Sequence, residues 1–199
     1  MNPLIIATRN PGKLEEIRLL LGPEIRLRSL ADFADLPEIV EDGDTFEANA
    51  VKKACAVARH TGCPALADDS GLEVDALGGA PGVHSARFAG ENATDAQNNA
   101  KLLHLLGETP EEKRTARFRC VIGITTPDGA VRTARGRCEG RILKRPRGRG
   151  GFGYDPLFLV PALKLTFAEL SPGEKNRISH RGRALKAAKP LILDALALD

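Results

Sequence analysis

Aromatic residues are scarce in this chain. Tryptophan is absent, tyrosine occurs once, and aromatic residues make up 4% of the 199 residues. The formal net charge is only +3. Because single-stranded nucleic acid is held by aromatic stacking and by positive surfaces, this composition does not favour a nucleic-acid-binding module.

Long apolar runs are also missing. No segment approaches the roughly eighteen consecutive apolar residues that a membrane-spanning helix needs. The apolar run in the N-terminal MNPLIIATRNPGK is too short for a secretory signal peptide, and no charged residue precedes it. We therefore expect a cytoplasmic protein without a membrane span.

Cysteine is present but is not arranged as a motif. Cys55, Cys63, Cys120 and Cys138 are too far apart for a C-x-x-C metal or redox site. An even number of cysteines in a larger cytosolic chain is better explained by small, buried, reduced thiols than by disulfides. We expect neither a disulfide nor a zinc site.

The N-terminal half shows strand and helix signals in alternation. Residues 4–8 are apolar and predict a short buried strand, after which Asn10 can cap a helix that ends at Gly22. Asp44 and Glu47 resemble a capping box before a second helix over residues 46–60. The stretches ALAD and LEVDAL predict a strand, a turn and a second strand around an acidic doublet.

The C-terminal half continues the mixture. A helix is predicted over residues 94–106, and residues 116–126 and 130–138 predict a hairpin around the turn PDG. DPLFLV predicts one more strand. Ser171-Pro172-x-Glu174 is a second capping box, and a last helix is expected from about residue 179, disturbed at Pro190. The whole chain therefore predicts one α/β domain over residues 1–199.

The acidic doublet Asp68-Asp69, within ALADDSG, is the most unusual local feature. Adjacent carboxylates repel each other unless a positive group lies nearby. Neighbouring side chains of a strand point to opposite faces, so the two aspartates are expected to do different jobs. Together with Glu38, Glu41, Asp42 and Asp44 they form an oxygen-rich set suited to Mg²⁺. A solvated acidic turn without a ligand is the alternative.

Two segments could bind phosphate. In TRNPGK, residues 8–13, a strand leads into a helix N-terminus, where free N–H groups and Lys13 favour an anion. The segment is not a Walker A loop, and an ordinary capped helix start is the alternative. Asn49 and Lys53 lie one turn apart on the same face of the second helix, so Lys53 could meet a phosphate, although a surface lysine is the default.

Two further segments could bind a flat base. GRGGFGYD, residues 148–155, matches G-x-G-x-x-G, but the strand-like LFLV follows it instead of the helix that a Rossmann motif requires. We interpret it as a flap whose Phe152 covers a base, with a core position for Phe152 as the alternative. In EKNRISHRGRAL, Lys175 and the pair His180-Arg181 could donate to a base edge.

The densely basic segment RTARGRCEGRILKRPRGRGG, residues 132–151, has one acidic residue, Glu139. It is either a solvated face or an anion site. A nucleic-acid-binding module that uses residues 132–149 therefore remains an alternative hypothesis, as does a broader phosphatase.

The chain resembles the inosine/xanthosine triphosphate pyrophosphatases, also called non-canonical purine nucleoside triphosphate pyrophosphatases. The resemblance rests on TRNPGK, TFEANAVKKA, ALADDSGLEVDALGGAPGVHSARFAG, ARFRCVIG, GGFGYDPLF and EKNRISHRGRAL, which follow one another in the family's order. It implies an elongated mixed β-sheet with helices, in which two lobes flank a central nucleotide-binding cleft, and usually a homodimer. It also implies Mg²⁺-dependent hydrolysis of ITP, dITP and XTP to the monophosphate and pyrophosphate.

The resemblance also implies roles for individual residues. Asp69 would be the catalytic carboxylate, and Glu41 and Asp69 would be the metal ligands. The triphosphate would be bound by Thr8, Arg9, Asn10, Pro11, Gly12, Lys13, Lys53 and Ser70. The base and sugar would be held by Phe152, Gly153, Tyr154, Asp155, Lys175, His180 and Arg181. Arg9 and Tyr154 depart from the commonest family pattern, which has glycine and, in some members, tryptophan.

These expectations form one mechanistic hypothesis. Mg²⁺ and its nucleotide would offset the repulsion within the doublet, and Asp69 would accept a proton from a water that attacks the α-phosphorus. N–H groups of His180 and Arg181 would donate to the 6-oxo group of a purine. Opposite the 6-amino group of adenine, two donors would face each other, which is unfavourable. The residues leave open whether Asp68 or Asp69 is the proton acceptor.

Overall fold

The computed structural model describes residues 2–33, 36–37 and 39–197. Its strands are β1 (Leu4–Ile6), β2 (Leu27–Ser29), β3 (Ala65–Val74), β4 (Thr115–Thr125), β5 (Val131–Ile142), β6 (Phe158–Val160) and β7 (Leu165–Thr166). Its α-helices are α1 (Pro11–Leu21), α2 (Phe46–Thr61), α3 (Asp95–Leu106), α4 (Pro172–Ile178) and α5 (His180–Ala195). Short 3₁₀ turns connect several of these elements.

The seven strands form one sheet in the order β2-β1-β3-β4-β5-β6-β7. β1 pairs in parallel with β2 and with β3, whereas β6 pairs antiparallel with β5 and with β7. β4 and β5 are neighbours joined by a turn in which the Thr126 N–H donates to the Ala130 carbonyl. The predicted α/β class and the predicted hairpin are therefore confirmed.

The chain divides into two compact units. Unit 1 comprises residues 1–69, 120–136 and 181–199, and unit 2 comprises residues 70–119 and 137–180.

Unit 1 is built on the alternation of side chains along β1 and β3. Leu4, Ile6 and Leu66 belong to a buried cluster that includes residues of α1 and α5. Ile5, Ala65 and Ala67 belong to a second cluster, which includes Ala54, Val57 and Ala58 of α2. Since successive residues of a strand face opposite sides, β3 presents one face to α1 and α5 and the other to α2.

Unit 2 has its own core. Leu72 and Val74 of β3 pack with Leu102 and Leu106 of α3, and with a group of aromatic rings. Phe118, Phe158 and Phe167 form that group, with centroid separations of 4.7 to 5.7 Å. Three of the eight aromatic residues of this chain therefore pack against one another in one core.

Helix caps follow the sequence signals, with one correction. The side chains of Asn10, Thr94 and Ser171 accept from backbone N–H groups of the first turns of α1, α3 and α4. The predicted capping box of Asp44 and Glu47 is wrong, because Thr45 is the N-cap of α2. Glu47 is used elsewhere: its carboxylate accepts from Thr133 and from Arg135.

Two further expectations are corrected. Residues 65–74 form one continuous strand, β3, and not a strand, a turn and a second strand. Its alternating side chains are almost all buried, so the hydroxyl and glycine of Ser70-Gly71 do not end it. Helix α5 continues through Pro190 to Ala195.

No helix within the described part of the chain is long and apolar enough to cross a membrane. All four cysteines are free thiols; Cys120 and Cys138 are buried, and Cys55 and Cys63 are half-buried.

Candidate active site

Strand alternation sends the two aspartates of β3 to different helices of unit 1. Asp68 shares the face of Leu66 and meets Lys13 of α1 and Arg181 of α5. Asp69 shares the face of Ala67 and meets Lys53 of α2. The prediction that the two side chains point to opposite faces of the strand is confirmed, and positively charged side chains lie beside both of them.

Asp68 is fully committed to cations. Its Oδ1 lies 2.7 Å from the Lys13 Nζ, and its Oδ2 accepts from the Arg181 Nε at 2.8 Å. The Cys120 thiol also donates to Oδ2, at 3.1 Å. Burial alone would raise the pKa of Asp68, but Arg181 and Lys13 outweigh burial and hold that pKa well below 3.8. Asp68 is therefore a poor proton acceptor.

Arg181 joins α5 to α1 within this cluster. It is 1% exposed, and its Nη1 donates to Glu16 Oε2 at 2.5 Å while its Nε donates to Asp68. The sequence analysis predicted that Arg181 would face a base. In the structure its guanidinium lies against two carboxylates, and the fork geometry of arginine suits that double contact.

Lys53 contacts two carboxylates and one backbone carbonyl. It is 8% exposed, so the default of a surface lysine is wrong. Its Nζ donates to the Asp68 carbonyl at 2.9 Å and lies 3.1 Å from Glu41 Oε1 and 3.7 Å from Asp69 Oδ1. The buried ammonium thus ties the acidic loop before α2 to the middle of β3.

Asp69 is much less well satisfied than Asp68. Its Oδ2 is buried and has no hydrogen-bond partner within the residues that the structure describes. Burial raises the pKa of Asp69 above 3.8, and the cations Lys53 and Lys13 only partly offset that rise. A carboxylate with an idle oxygen and a raised pKa is the better proton acceptor of the two.

Asn49 fixes the loop that carries Glu41. It is 1% exposed and makes two hydrogen bonds with Gly43: its Oδ1 accepts from the Gly43 N–H at 2.8 Å, and its Nδ2 donates to the Gly43 carbonyl at 3.2 Å. Glycine is needed there because an added Cβ would lie 2.7 Å from the Asn49 Oδ1. Glu38, which the sequence grouped with Glu41, lies outside the described residues.

The carboxylates in this region fit Mg²⁺ only if water and substrate phosphates supply most of its ligands. Across residues 2–33, 36–37 and 39–197, no group of three or more histidine, cysteine, aspartate or glutamate residues could hold a metal. The carboxylates of Glu41 and Asp69 lie close to the same ammonium group, 3.1 and 3.7 Å from the Lys53 Nζ. Mg²⁺ is typically held by one or two carboxylates and completes its shell with water and substrate phosphates, so these two residues fit it.

The predicted phosphate segment forms the turn from β1 into α1. The Asn10 N–H donates to the Thr8 hydroxyl at 3.1 Å, and the Asn10 Oδ1 accepts from the Lys13 N–H at 3.0 Å. Arg9, Asn10 and Pro11 are exposed. Lys13 is therefore held at both ends, by Asn10 at its backbone and by Asp68 at its ammonium group.

In unit 2, Lys175 of α4 lies under the ring of Phe152. Its Nζ is 4.8 Å from the Phe152 centroid and 2.5 Å from Asp155 Oδ2, and both charged side chains are almost completely buried. The same Asp155 Oδ2 accepts from the Phe152 N–H at 3.0 Å. Phe152 is only half-buried and is not part of the core cluster, which argues against the core alternative.

The remaining predicted residues of unit 2 are placed as follows. The His180 ring stacks on Phe118 at 4.6 Å, with an interplanar angle of 13°. The Tyr154 hydroxyl donates to the Ser85 carbonyl at 2.8 Å, so the tyrosine is a buried support. Ser70 follows Asp69 in β3 and is half-buried. The structure thus groups Phe152, Asp155 and Lys175 directly.

The sequence analysis missed Glu16 as part of the site. Glu16 follows Lys13 by three residues and shares its face of α1, a spacing that places side chains next to each other. That spacing was visible in the sequence, but its importance was not, because Arg181 comes from the far end of the chain.

Four of the eight basic residues in the basic segment, Arg132, Arg135, Arg137 and Arg147, lie within ion-pair distance of acidic side chains. Within unit 1, Arg132 pairs with Asp194 at 2.7 Å and Arg135 pairs with Glu47 at 2.7 Å. Within unit 2, Arg147 pairs with Glu169 at 2.9 Å. These ion pairs favour a solvated structural face for that half of the basic residues.

Comparisons with known proteins point to one family. The model of the Ham1 family matches residues 4–191. A dITP/XTP pyrophosphatase from Desulforamulus reducens is 58% identical over 190 residues, which cover 95% of this chain and 94% of that protein. The structure of a HAM1 protein from Coxiella burnetii superposes with a TM-score of 0.87 at 45% identity, covering 98% of this chain and 100% of that one. The Ham1 protein of Staphylococcus aureus gives a TM-score of 0.86 at 40% identity, covering 96% of this chain and 98% of that one.

Proposed function

Because the chain belongs to the Ham1 family, we propose that it hydrolyses the non-canonical purine nucleotides dITP, XTP and ITP to the monophosphate and pyrophosphate. It is a nucleoside triphosphate pyrophosphatase, a hydrolase of the α–β phosphoanhydride bond. The observation that carries the proposal is that the two adjacent aspartates have different surroundings. Asp68 is held by two cations, whereas Asp69 has an idle buried oxygen beside Lys53.

Asp69 is the proposed proton acceptor. A water that attacks the α-phosphorus must lose a proton, and a positioned carboxylate accelerates such a step by about 10²–10⁴-fold. The free Oδ2 of Asp69 is suited to accept that proton, and the contact of Oδ1 with Lys53 helps to fix the side chain. Asp68 instead orients Lys13.

Lys13 and Lys53 are the proposed partners of the triphosphate. Both ammonium groups are preorganised by carboxylates and backbone, so they can stabilise charge on the leaving pyrophosphate without reorganising. Thr8, Arg9, Asn10, Pro11, Gly12 and Ser70 complete the proposed triphosphate-binding set.

Glu41 and Asp69 would hold Mg²⁺. When it is bound, the ion would neutralise phosphate charge and polarise the phosphorus. The chain itself contributes the fixed position of Glu41, which follows from the hydrogen bonds of Asn49 to Gly43 and from the contact of Glu41 with Lys53.

The base is proposed to lie on Phe152, in reach of Lys175 and His180. Lysine has donors and no acceptor, so a buried lysine favours the oxo groups of hypoxanthine and xanthine over the 6-amino group of adenine. Gly153, Tyr154 and Asp155 support the ring from the same loop. The base contact predicted for Arg181 stays a prediction, and its carboxylate contacts give it a positioning role in addition.

A product assay tests this function. The enzyme would be supplied with ITP, XTP, dITP, GTP and ATP, with and without EDTA, and pyrophosphate and orthophosphate would be measured separately. We expect pyrophosphate from the first three nucleotides, little product from ATP, and loss of activity with EDTA. Equal turnover of ATP and ITP would refute the base pocket, and release of orthophosphate would favour the broader phosphatase.

The proposal also includes a homodimer in the cytoplasm, as the family resemblance implies. Light scattering after size-exclusion chromatography would give twice the mass of 21.3 kDa for a dimer. Cell fractionation would test the location.

A further inference from the structure

The loop that carries Phe152 is held by helix α3. The Gly153 N–H donates to Asp95 Oδ2 at 2.6 Å, and the Asn99 Nδ2 donates to the Gly153 carbonyl at 2.9 Å. Asp95 and Asn99 lie four residues apart, on one face of α3. Both polar groups of Gly153, the residue directly after Phe152, are therefore bound by side chains of one helix.

The side chains of α3 bind Gly153, a residue whose backbone conformation is unusual. Gly153 has a φ of +60°, in the left-handed region that side chains disfavour. The preceding residue is fixed separately, because the Phe152 N–H donates to Asp155 Oδ2. Two consecutive N–H groups of the loop thus donate to carboxylates, one of Asp155 in the loop and one of Asp95 in α3.

The rest of the loop is also anchored within unit 2. The Gly150 N–H donates to the Ala168 carbonyl at 3.0 Å, and the Tyr154 hydroxyl donates to Ser85. With residues on both sides tied down, the direction of the Phe152 ring depends on the peptide that follows it. Asp95 binds the N–H of that peptide, and Asn99 binds the carbonyl of the next peptide.

We propose that Asp95 and Asn99 are positioning residues for substrate binding, which hold the backbone N–H and carbonyl of Gly153 so that the Phe152 ring is preset to stack on the purine base. This inference rests on the proposed function, in that it assigns Phe152 to the base. Preorganisation of a binding group lowers the cost of ordering it when the ligand arrives. The effect therefore belongs to KM and not to kcat.

Hydrogen exchange tests the contact without any substrate. In Asp95→Ala, the Gly153 amide should exchange several times faster than in the wild type, while the Phe152 amide, bound by Asp155, should change less. Asp95→Asn retains an acceptor oxygen and should restore most of the protection. Unchanged exchange at Gly153 in Asp95→Ala would overturn the proposal, whatever the activity of the enzyme.

Steady-state kinetics with dITP test its consequence. Asp95→Ala should raise KM about threefold to tenfold, the size expected for one solvent-exposed hydrogen bond, with kcat within about twofold. Asp95→Asn should stay near the wild-type KM, which separates the hydrogen bond from the effect of a negative charge at the start of α3. Asn99→Ala should act in the same direction as Asp95→Ala. His104→Ala, an exposed position of the same helix, is the matched control and should change nothing.

The double variant Asp95→Ala/Phe152→Ala tests whether Asp95 acts through the Phe152 ring. If α3 acts through the ring, Asp95→Ala should raise KM no further once Phe152 is absent. Fully additive effects would overturn the proposal. If Phe152→Ala itself leaves KM unchanged, the assignment of Phe152 to the base fails, whereas a raised KM in Phe152→Ala with a normal KM in Asp95→Ala would reject only the role of α3.

Discussion

Asp68→Asn should destabilise the folded protein strongly and Asp69→Asn should not, although the two residues are adjacent. Asp68 is 1% exposed and is the shared partner of Lys13 and Arg181. An asparagine there would remove the negative charge and direct an NH₂ group at donors. Removal of one partner from a buried ion pair costs about 3–5 kcal/mol, which for a chain of this length lowers the melting temperature by about 6–20 °C.

Asp69→Asn should leave the unfolding free energy unchanged or slightly higher at neutral pH. The wild-type carboxylate is buried, has an idle oxygen, and has a raised pKa, so its charge costs stability. Its pyrophosphatase activity should fall by at least about 100-fold, because the proton acceptor is gone. The pair therefore separates a structural aspartate from a catalytic one.

Urea unfolding followed by far-ultraviolet circular dichroism is the suitable assay, since the chain has no tryptophan to report by fluorescence. The folded pKa of Asp68 lies well below the value of 3.8 that applies when the chain is unfolded. Its stabilising contribution is therefore present above that value and is lost as pH falls through the folded pKa. The difference between wild type and Asp68→Asn should shrink in that window. Equal midpoints for Asp68→Asn and wild type at neutral pH, or unfolding of both variants together, would refute this account of the doublet.

Three further changes test other parts of the molecule. Glu41→Gln should raise the Mg²⁺ concentration for half-maximal activity by about tenfold or more with little change in folding, and an unchanged metal requirement would remove Glu41 from the ligands. Arg181→Lys should lower the unfolding free energy by about 2 kcal/mol, because a lysine cannot serve two carboxylates as the guanidinium fork does; a wild-type urea midpoint would contradict this. Gly140→Ala should cost about 1–3 kcal/mol, since an added Cβ would lie 2.4 Å from the Phe158 ring. Gly173→Ala is its matched control in helix α4, where nothing lies within 4 Å of an added Cβ, and should be neutral or stabilising by up to about 1 kcal/mol.

Local signals were predictable because they depend on neighbours in the sequence. The cap at Asn10, the stop at Gly22 and the start of α4 at Ser171 each follow from contacts a few residues apart, and all three are confirmed. The error at Asp44 has the same origin. Both Asp44 and Thr45 can cap a helix, and the choice of Thr45 leaves Glu47 to contact Thr133 and Arg135, which the local sequence does not indicate.

The sequence also predicted that the side chains of Asp68 and Asp69 lie on opposite faces of the strand, since side chains alternate along a strand whatever surrounds them. The sequence could not say which face carries which cations. That depends on α1 and α5, which are far apart in the chain, meeting on one side of β3, and on α2 packing on the other. The sequence analysis proposed that Mg²⁺ offsets the repulsion between the two aspartates. In the structure, Lys13, Lys53 and Arg181 already place positive charge beside them.

The sequence by itself determined the family motifs, the strand alternation and most helix ends, because each is set by residue type and short spacing. Only the tertiary structure decided that Lys53 is buried, that Glu16 contacts Arg181, and that Asp95 and Asn99 bind the backbone of Gly153. Burial and long-range pairing set the charge cost and the pKa of a group, and both are properties of the folded chain, not of its local sequence.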